Sequence, residues 1–398
     1  METPIDLVRI ENVIEEVLTW SRGQNFRGYN KHDGLNSPIL ARLCGWHKWT
    51  RILAIQTVMR CPINLRPLLL VPKTLNPKGI ALFTQAYLDR YRRNGQESDL
   101  QSARALLDLL KENRSQGKWT GSAWGYHYPW QDPGFYAPAG TPNAVVTAFV
   151  CGAFLDAHEL TGEQHYLGIT REAIEFLLHE LPVLKDTDSE LCLAYMPLPM
   201  RMRVMDVSIL IGSVLARYGK CAGVDEYRSH ARRLVSYVVN QQTDYGAWFY
   251  TDPPGDSHIT HDNYHTGFIL DALWRYMQAT GERQWVGVYF KGLDFYAGNH
   301  FTAAGAPKWM HDCEHPYDIH GAAQGILTFS RHGHEYPGLA DRILAWTLAN
   351  MYAGGGRFNY QIHRWYRKNY TLLRWCNAWM CRALSSYLLH RNNAGSPC

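Results

Sequence analysis

Apolar residues recur at helical spacing along most of this chain. In residues 98–112 they fall on one face, at Leu100, Ala103, Leu106, Leu107 and Leu110. Residues 225–239 repeat this one-sided pattern, which predicts helices with a single buried face. Residues 144–155, 207–216 and 321–329 are apolar nearly all round, and such helices must be buried on every side. Because the two kinds alternate, the pattern predicts an inner ring of helices wrapped by an outer ring.

Three aspartates stand at equal intervals of 56 residues: Asp206, Asp262 and Asp318. Each opens an apolar helical segment, and a fixed period of this size is typical of an array built from one supersecondary unit. Turns at 160–163, 221–224 and 279–282 each contain a glycine, the residue that suits the left-handed end of a helix. We therefore expect an all-α protein, an (α/α)6-type toroid of helical hairpins.

The first 77 residues fit this array less well. Residues 5–21 and 38–60 have a helical pattern, but residues 61–77 contain too many prolines for a helix. We predict an N-terminal helical pair and a Pro-rich strap over residues 1–77, packed on a toroid formed by residues 78–398.

Four long connections precede inner helices: 116–141, 243–261, 302–317 and 353–369. Loops of more than about 12–15 residues are uncommon in compact domains unless they have a function. All four fall at the N-terminal end of the inner helices, so a closed ring would gather them on one rim. We expect the functional site in that rim.

The strongest candidates for chemistry lie where two successive repeats begin: Asp262, Tyr264, His265, Asp318 and His320. Two carboxyl groups on neighbouring helices are the arrangement used in glycoside hydrolysis, and imidazole can transfer protons near neutral pH. The alternative is structural, since an Asp at this position can cap its helix and a histidine can be a core residue. For Asp206 the capping role is favoured.

The expected substrate-binding residues are aromatic and polar side chains on or beside the long loops. They are Trp119, Trp124, Tyr126, His127, Trp130, Asp132, Asn143, Trp248, Trp309, Gln324, Arg374 and Trp375. Aromatic rings offer flat surfaces on which the apolar faces of sugars can stack, and an Arg suits a carboxylate or phosphate. Packing of the loops, or cation–π packing of the Arg, is the alternative.

The amino-acid composition narrows the class of protein. The chain is 46% hydrophobic and 19% charged, with a net charge of +4 and dispersed basic residues, which excludes disorder and gives no nucleic-acid footprint. Nine cysteines without framework spacing indicate reduced thiols, so we expect a cytoplasmic protein without signal peptide or membrane span. Residues 311–315 with His320 or His363 match no established zinc spacing, so neither a metal nor a cofactor is predicted.

Several motifs resemble those of a family typically encoded in bacterial capsule and exopolysaccharide clusters. They are 25–38 (NFRGYNKHDGLNSP), 63–67 (INLRP), 76–79 (NPKG), 124–126 (WGY), 140–143 (GTPN) and 317–320 (YDIH). Where the family loop has an Asp before its Trp-Gln pair, this chain has Pro129, and the nearest carboxylate is Asp132. More loosely, the array is similar to six-hairpin glycosidases, unsaturated-uronyl hydrolases and sugar epimerases.

Together these features predict a carbohydrate-active enzyme of bacterial surface-polysaccharide biosynthesis. Its expected substrate is a polysaccharide or a lipid-linked oligosaccharide, and peripheral association with assembly machinery is possible. Glycoside hydrolysis by Asp262 and Asp318 is slightly favoured over C5-epimerisation or elimination at a uronic acid, which would use His or Tyr as base. A non-catalytic glycan-binding or assembly protein is the second class. A terpene cyclase is a third, but it would need an Asp-rich motif that this chain lacks.

Overall fold

The computed structural model describes residues 6–393. Within that range the chain forms fourteen α-helices joined by loops with short strands. The helices are α1 (Leu7–Gly23), α2 (Pro38–Cys44), α3 (Lys48–Arg60), α4 (Pro77–Asn94), α5 (Glu97–Glu112), α6 (Ala144–Thr161), α7 (His165–His179), α8 (Met205–Ala222), α9 (Arg228–Val239), α10 (Asn263–Thr280), α11 (Val286–Asn299), α12 (Ile319–Ser330), α13 (Leu339–Asn350) and α14 (Trp379–Asn393).

Six of these helices form a closed inner ring. In ring order they are α4, α6, α8, α10, α12 and α14, and α14 packs back against α4. Helices α5, α7, α9, α11 and α13 pack on the outside, and α1 packs against α14 as the sixth outer helix. This arrangement confirms the all-α (α/α)6 toroid.

The two kinds of helical pattern in the sequence correspond to the outer and the inner helices of the ring. Helix α5 buries the one face predicted for it, whereas α6 is buried nearly all round. Helix α6 has a mean hydropathy of 1.3 and could cross a membrane by length and composition, but 78% of it is buried inside the protein. It is therefore a core helix of the ring. Gly162, Gly223 and Gly281 end inner helices with φ of +74°, +67° and +73°, as predicted.

Eleven short strands brace the connections among the described residues. They are β1 (Trp130–Gln131), β2 (Tyr136–Ala137), β3 (Val183–Asp186), β4 (Leu191–Leu193), β5 (Arg203–Val204), β6 (Thr251–Asp252), β7 (Tyr317–Asp318), β8 (Tyr352–Gly354), β9 (Arg357–Phe358), β10 (Gln361–Ile362) and β11 (Arg367–Lys368). All pairings are antiparallel: β1 with β2, β3 with β4, β5 with β6, β8 with β9, and β10 between β7 and β11. The last sheet sets Asp318 opposite Gln361.

The N-terminal region contains three helices. The segment 38–60 is two helices, α2 and α3, and their hairpin has a small hydrophobic cluster of its own around Leu35, Ala54 and Ile55. Helix α1 instead buries Ile10, Val17 and other apolar residues in the main core. Helix α1 thus packs on the ring, in the position outside α14.

Candidate functional site

Side chains at the N-terminal ends of the inner helices form a circuit of contacts, and we call the region that this circuit encloses the cleft. On one side Lys31 is followed by His32, whose ring stacks on Trp130 with centres 5.2 Å apart. Trp130 meets Tyr126 and Tyr195 edge-on at 6.3 and 6.1 Å. The hydroxyls of Tyr126 and Tyr195 lie 3.5 Å apart.

The other side of the wall comes from the loops before α10 and α12. The rings of Tyr250 and His265 lie 4.6 Å apart, and His265 contacts Tyr264 at 4.3 Å. Trp309 lies 6.3 Å from Tyr264 and 5.7 Å from Lys31 Nζ, which closes the circuit. The long loops thus meet at one rim, as their positions in the sequence predicted.

Two tyrosines keep their hydroxyl protons at this site. Burial raises the pKa of Tyr195 and of Tyr250 well above the usual value, and the nearby Asp206 raises both further. The neighbouring Tyr126 also raises the pKa of both, and Tyr250 raises that of Tyr195, so the three phenols are close together. Neutral hydroxyls of this kind can both donate to and accept from the hydroxyls of a sugar.

The floor of the cleft is a triangle of aromatic rings. Phe149, Phe268 and Trp379 come from α6, α10 and α14, and their centres are 5.4–5.5 Å apart in every pair. Lys78 extends over this triangle, with Nζ 3.8, 4.4 and 5.3 Å from the three ring centres. The amine thus lies against ring faces, where cation–π attraction favours its charged form. Burial, with Arg374 adding repulsion, lowers the pKa of Lys78 well below its usual value.

Asp262 and His265 form a hydrogen-bonded pair at the start of α10. Asp262 Oδ2 lies 2.8 Å from His265 Nδ1, and the carboxylate makes no bond to the end of its own helix. A carboxylate accepts, so Nδ1 carries the proton and Nε2 is left with its lone pair. Asp262 is buried, whereas the His265 side chain is 17% exposed. This is the geometry of a proton-transfer base oriented by a carboxylate.

The Asp318 carboxylate is held in place by three hydrogen bonds. Its Oδ1 accepts from the backbone N–H of His320 at 2.9 Å and from Trp375 Nε1 at 2.7 Å. Its Oδ2 accepts from Gln361 Nε2 at 2.7 Å. The carboxylate thus caps α12 and joins it to the segment after α13. Burial raises its pKa, and Lys31 is the main influence in the opposite direction.

The structure corrects the expectation for Asp206. Val204, not Asp206, is the N-cap of α8, and Asp206 makes no capping bond. Asp206 is 2% exposed, and its Oδ1 has no hydrogen-bond partner within residues 6–393. Burial raises its pKa, while His265 and Lys78 oppose the rise. Asp206 is therefore part of the polar cluster under the cleft.

His320 belongs to the aromatic layer. It stacks parallel to Tyr264 at 4.4 Å and also contacts Trp379 at 4.5 Å. It is 1% exposed, and neither ring nitrogen has a partner in the described part of the chain. Burial, with Lys78 next, lowers its pKa well below the usual value, so the ring is neutral. In this arrangement His265 faces the cleft and His320 does not.

Three basic side chains lie at the site: Lys31, Lys78 and Arg374. Only Arg374 was predicted from the sequence. Arg374 is 5% exposed, stacks on Trp375 at 4.6 Å, and lies in a π-helical segment (Leu373–Ala378) that leads into α14. Such segments often occur at functional sites. Lys31 also lies over Trp375, at 4.2 Å, and burial lowers its pKa to about 8. Lys31 and Lys78 were missed because they precede the repeats, although both lie in the quoted motifs.

Buried polar contacts hold Lys31 in place. Arg66 Nε donates to Asp33 Oδ1 at 2.6 Å, and its Nη2 donates to the carbonyl of Asn30 at 2.7 Å. Asn76 Nδ2, at the start of α4, donates to Asn30 Oδ1 at 2.7 Å. The motifs at 25–38, 63–67 and 76–79 therefore fold into one unit that carries Lys31 to the cleft.

Several expected substrate-binding residues lie away from the cleft. Trp124 is fully buried and donates to the Leu110 carbonyl, and Trp248 is 2% exposed and donates to the Val238 carbonyl. Trp119 packs on Phe176 of the outer helix α7. For these three the expectation is corrected, because their rings fill space between helices or face the outside.

Polar residues that were expected to bind substrate also make hydrogen bonds within the fold instead. Asn143 is fully buried and caps α6 through Val146 N, and the buried Gln324 bonds Asp271 Oδ2 at 3.0 Å, deep in the ring. Asp132 accepts from Gly134 N in its own loop, and burial raises its pKa. Burial lowers the pKa of the half-buried His127. Tyr126, Trp130, Trp309, Arg374 and Trp375 remain as the predicted binding residues that the structure brings to the cleft.

The described residues show no metal-like cluster. Within residues 6–393, no group of three or more His, Cys, Asp or Glu side chains is placed to hold a metal ion. Cys313 Sγ lies 3.2 Å from the carbonyl of His315 instead. The eight cysteines of this range are all free thiols.

Comparison with known proteins gives the fold. No protein-family model matches the chain, and no curated protein matches it. Cellobiose 2-epimerase from Bacillus thermoamylovorans superposes with a TM-score of 0.65 at 10% identity, over 81% of this chain and 90% of that one. A polysaccharide lyase superposes with a TM-score of 0.60 at 10% identity, over 98% and 99%. The GH76 α-mannanase of Bacteroides thetaiotaomicron gives 0.58 at 13%, over 80% and 87%. At such identities the likeness shows a shared toroid fold.

Proposed function

We propose that this protein is a carbohydrate-active enzyme that removes a proton from a sugar carbon next to a carbonyl or carboxyl group. The observation that carries the proposal is the Asp262–His265 pair at the wall of the cleft. With Nδ1 engaged by the carboxylate, the free Nε2 of His265 is a base ready for a proton. The aromatic wall around it suits a sugar ring.

The positive charges around His265 are suited to stabilise the anion that this proton removal forms. When His265 takes the proton, the electron pair of the C–H bond forms a C=C bond and negative charge moves to the carbonyl or carboxyl oxygen. Lys31 and Arg374 provide positive charge near that position. Protonation of the opposite face by a second acid gives an epimer. Departure of a substituent from the next carbon with its bonding electrons, protonated by His265 as it leaves, gives an unsaturated product.

Hydrolysis by a pair of carboxyls has less support. An acid/base pair needs one protonatable oxygen that faces the scissile bond and another that activates water. The oxygens of Asp318 accept from Trp375, Gln361 and a backbone N–H, which leaves this carboxylate committed to structure. The similar structures include an epimerase, a lyase and a glycosidase, so they do not favour one of these reactions.

The substrate remains a prediction from the sequence. We propose a polysaccharide or lipid-linked oligosaccharide of bacterial surface-polysaccharide biosynthesis, because the quoted motifs resemble proteins of such gene clusters. The cleft is built from the long loops at the N-terminal ends of the inner helices, so we expect a longer glycan to reach it from that side.

The test is solvent isotope exchange. Purified protein is incubated in deuterium oxide with a reducing disaccharide, and separately with oligosaccharides that contain uronic acid. Nuclear magnetic resonance then reports deuterium at the carbon next to the carbonyl or carboxyl group, and ultraviolet absorbance reports unsaturated uronate. New reducing ends without deuterium or unsaturation would overturn the proposal in favour of hydrolysis. Binding without any reaction would favour the non-catalytic class.

A further inference from the structure

A second cavity lies inside the toroid, below the aromatic floor of the cleft. All six inner helices line it, from the level of Phe149, Phe268 and Trp379 toward their C-terminal ends. The space is about 550 Å³, including its opening. Its wall is largely apolar, with a set of polar side chains comprising Gln85, Arg217, Asp271, Arg275, Gln324 and Arg382.

Most charges at this end of the ring are paired. Arg217 pairs with Asp156 and Glu159, Arg331 pairs with Asp271, and Arg382 pairs with Asp89. The two Asp271 oxygens also accept from Gln324 and Thr328, and Asp156 accepts from Gln85. The anionic side chains near the cavity are therefore occupied by cations and amides.

Arg275 is the exception. It has neither an ion pair nor a hydrogen bond within residues 6–393, although it lines the cavity. A side-chain carbon placed on Gly152 would lie 3.7 Å from Arg275 Nη1. Gly152 is on α6 and Arg275 on α10, with α8 between them in the ring, so the guanidinium reaches across the interior. Burial lowers the pKa of Arg275, the direction expected for a charge without a full partner.

Arg382 faces the same space with an unused donor. It is 7% exposed, and its Nε has no partner in the described part of the chain. Burial lowers its pKa to about 10. A buried guanidinium with a free N–H loses solvation without a replacement, which is costly unless something else accepts. Two forked cations facing one cavity are suited to an oxyanion.

We propose that this inner cavity binds one small oxyanion, a carboxylate or a phosphate, at the Arg275 guanidinium, with Arg382 as a further donor lining the same cavity. The site is separate from the cleft because the triangle of Phe149, Phe268 and Trp379 lies between them. Gln324 Oε1 is buried there without a partner. Hydrogen phosphate could donate a proton to this oxygen, whereas a carboxylate ion could not, so the two ions are to be compared.

The first measurement is calorimetric titration of the wild-type protein with inorganic phosphate and, separately, with acetate, at constant ionic strength set by sodium chloride. We expect saturable binding of one ion per chain. Binding of phosphate alone assigns the site to phosphate, and binding of both assigns it to oxyanions in general. Absence of saturable binding by either ion overturns the proposal.

The second measurement is thermal unfolding with Arg275→Gln and the control Arg228→Gln, whose arginine on α9 is 61% exposed. In the wild type and the control, phosphate should raise the midpoint saturably, by at least about 2 °C. The Arg275→Gln protein should lose this rise, yet be as stable as the wild type without phosphate, because the partly buried arginine has no ion pair or hydrogen bond to lose within residues 6–393. Equal responses in all three proteins would show only the general stabilisation that phosphate gives, and would overturn the site. If Arg275→Gln does not fold, Arg382→Lys takes its place, since it keeps the charge but removes the Nε donor.

Discussion

His265 Nδ1 and Asp262 Oδ2 lie 2.8 Å apart at the start of α10, three residues apart in the sequence. The aspartate is at the N-cap position, yet its carboxylate is bonded to the imidazole and not to the end of the helix. Asp318 is one repeat further along, at the same position, and does cap its helix. In one repeat the aspartate thus caps its helix, and in the neighbouring repeat it is bonded to a histidine instead.

Replacement of His265 by Ala should abolish most turnover. Loss of a general base typically costs about 10²–10⁴-fold in rate, and the side chain is partly exposed, so the fold should survive. The rate of deuterium exchange measures the loss. His179→Ala, on the outer helix α7 with a 61% exposed side chain, is the matched control and should keep the full rate. Undiminished exchange in His265→Ala would assign the base elsewhere.

Asp262→Asn should be nearly as inactive as His265→Ala. An amide can donate to Nδ1, which would move the imidazole proton to Nε2 and remove the lone pair that acts as base. The double variant should be no slower than either single variant, because the two side chains act as a unit. Single-turnover exchange rates of the three proteins check this. Multiplicative losses would mean that the two residues act independently.

Asp318→Asn should mainly reduce stability. The amide has only one acceptor oxygen for three donors, and its NH2 group would face Trp375 or Gln361. We expect the free energy of unfolding to fall by about 1–3 kcal/mol, measured by denaturant titration. Asp225→Asn, on the surface with an 89% exposed side chain, should change little. Full stability combined with loss of exchange would instead restore Asp318 as a catalytic group.

The exchange rate should fall as the pH rises through about 8. Burial lowers the pKa of Lys31 to about 8, so the side chain is charged below that pH and neutral above it. If its charge stabilises the developing anion, that stabilisation is lost on the alkaline side. Lys31→Arg stays charged and should retain its rate to higher pH. Identical profiles for the two proteins would exclude Lys31 from this role.

Acid should destabilise the fold in part through His300. Burial lowers its pKa from 6.5 to about 4, so the unfolded chain takes up the proton first as the pH falls. The contribution is therefore fully present above pH 6.5 and is lost between 6.5 and about 4, at up to about 1.4 kcal/mol per pH unit.

His300→Gln tests this contribution. A glutamine can keep the donor that reaches the carbonyl of His261, but it does not titrate. The variant should lose a smaller free energy of unfolding than the wild type between pH 7 and 5, by denaturant titration at each pH. His179→Gln, on the exposed outer face, should follow the wild type. A slope as steep in His300→Gln as in the wild type would contradict the assignment.

The sequence alone determined the scaffold of this protein. Helices apolar all round, one-sided helices between them, glycines at the turns and a period of 56 residues all report burial and local geometry. These properties depend on the residues of each segment alone. Because they place every long loop at the same end of an inner helix, they also predicted that the loops meet at one rim. Aromatic content indicated a sugar-like ligand, but spacing did not distinguish Trp130 in the cleft from Trp124 in the core.

Only the tertiary structure decided which side chains are free to react. Asp318 is bound by Gln361 and Trp375, which lie 43 and 57 residues away in the chain and reach it only after the ring closes. Lys31 enters the cleft because the buried Asp33–Arg66 pair anchors its turn. Hydrogen bonds between residues so far apart in the chain produce no local pattern in the sequence. The aspartates therefore look equivalent along the chain, whereas in the closed ring Asp318 is bonded to distant parts of the fold and Asp262 to His265.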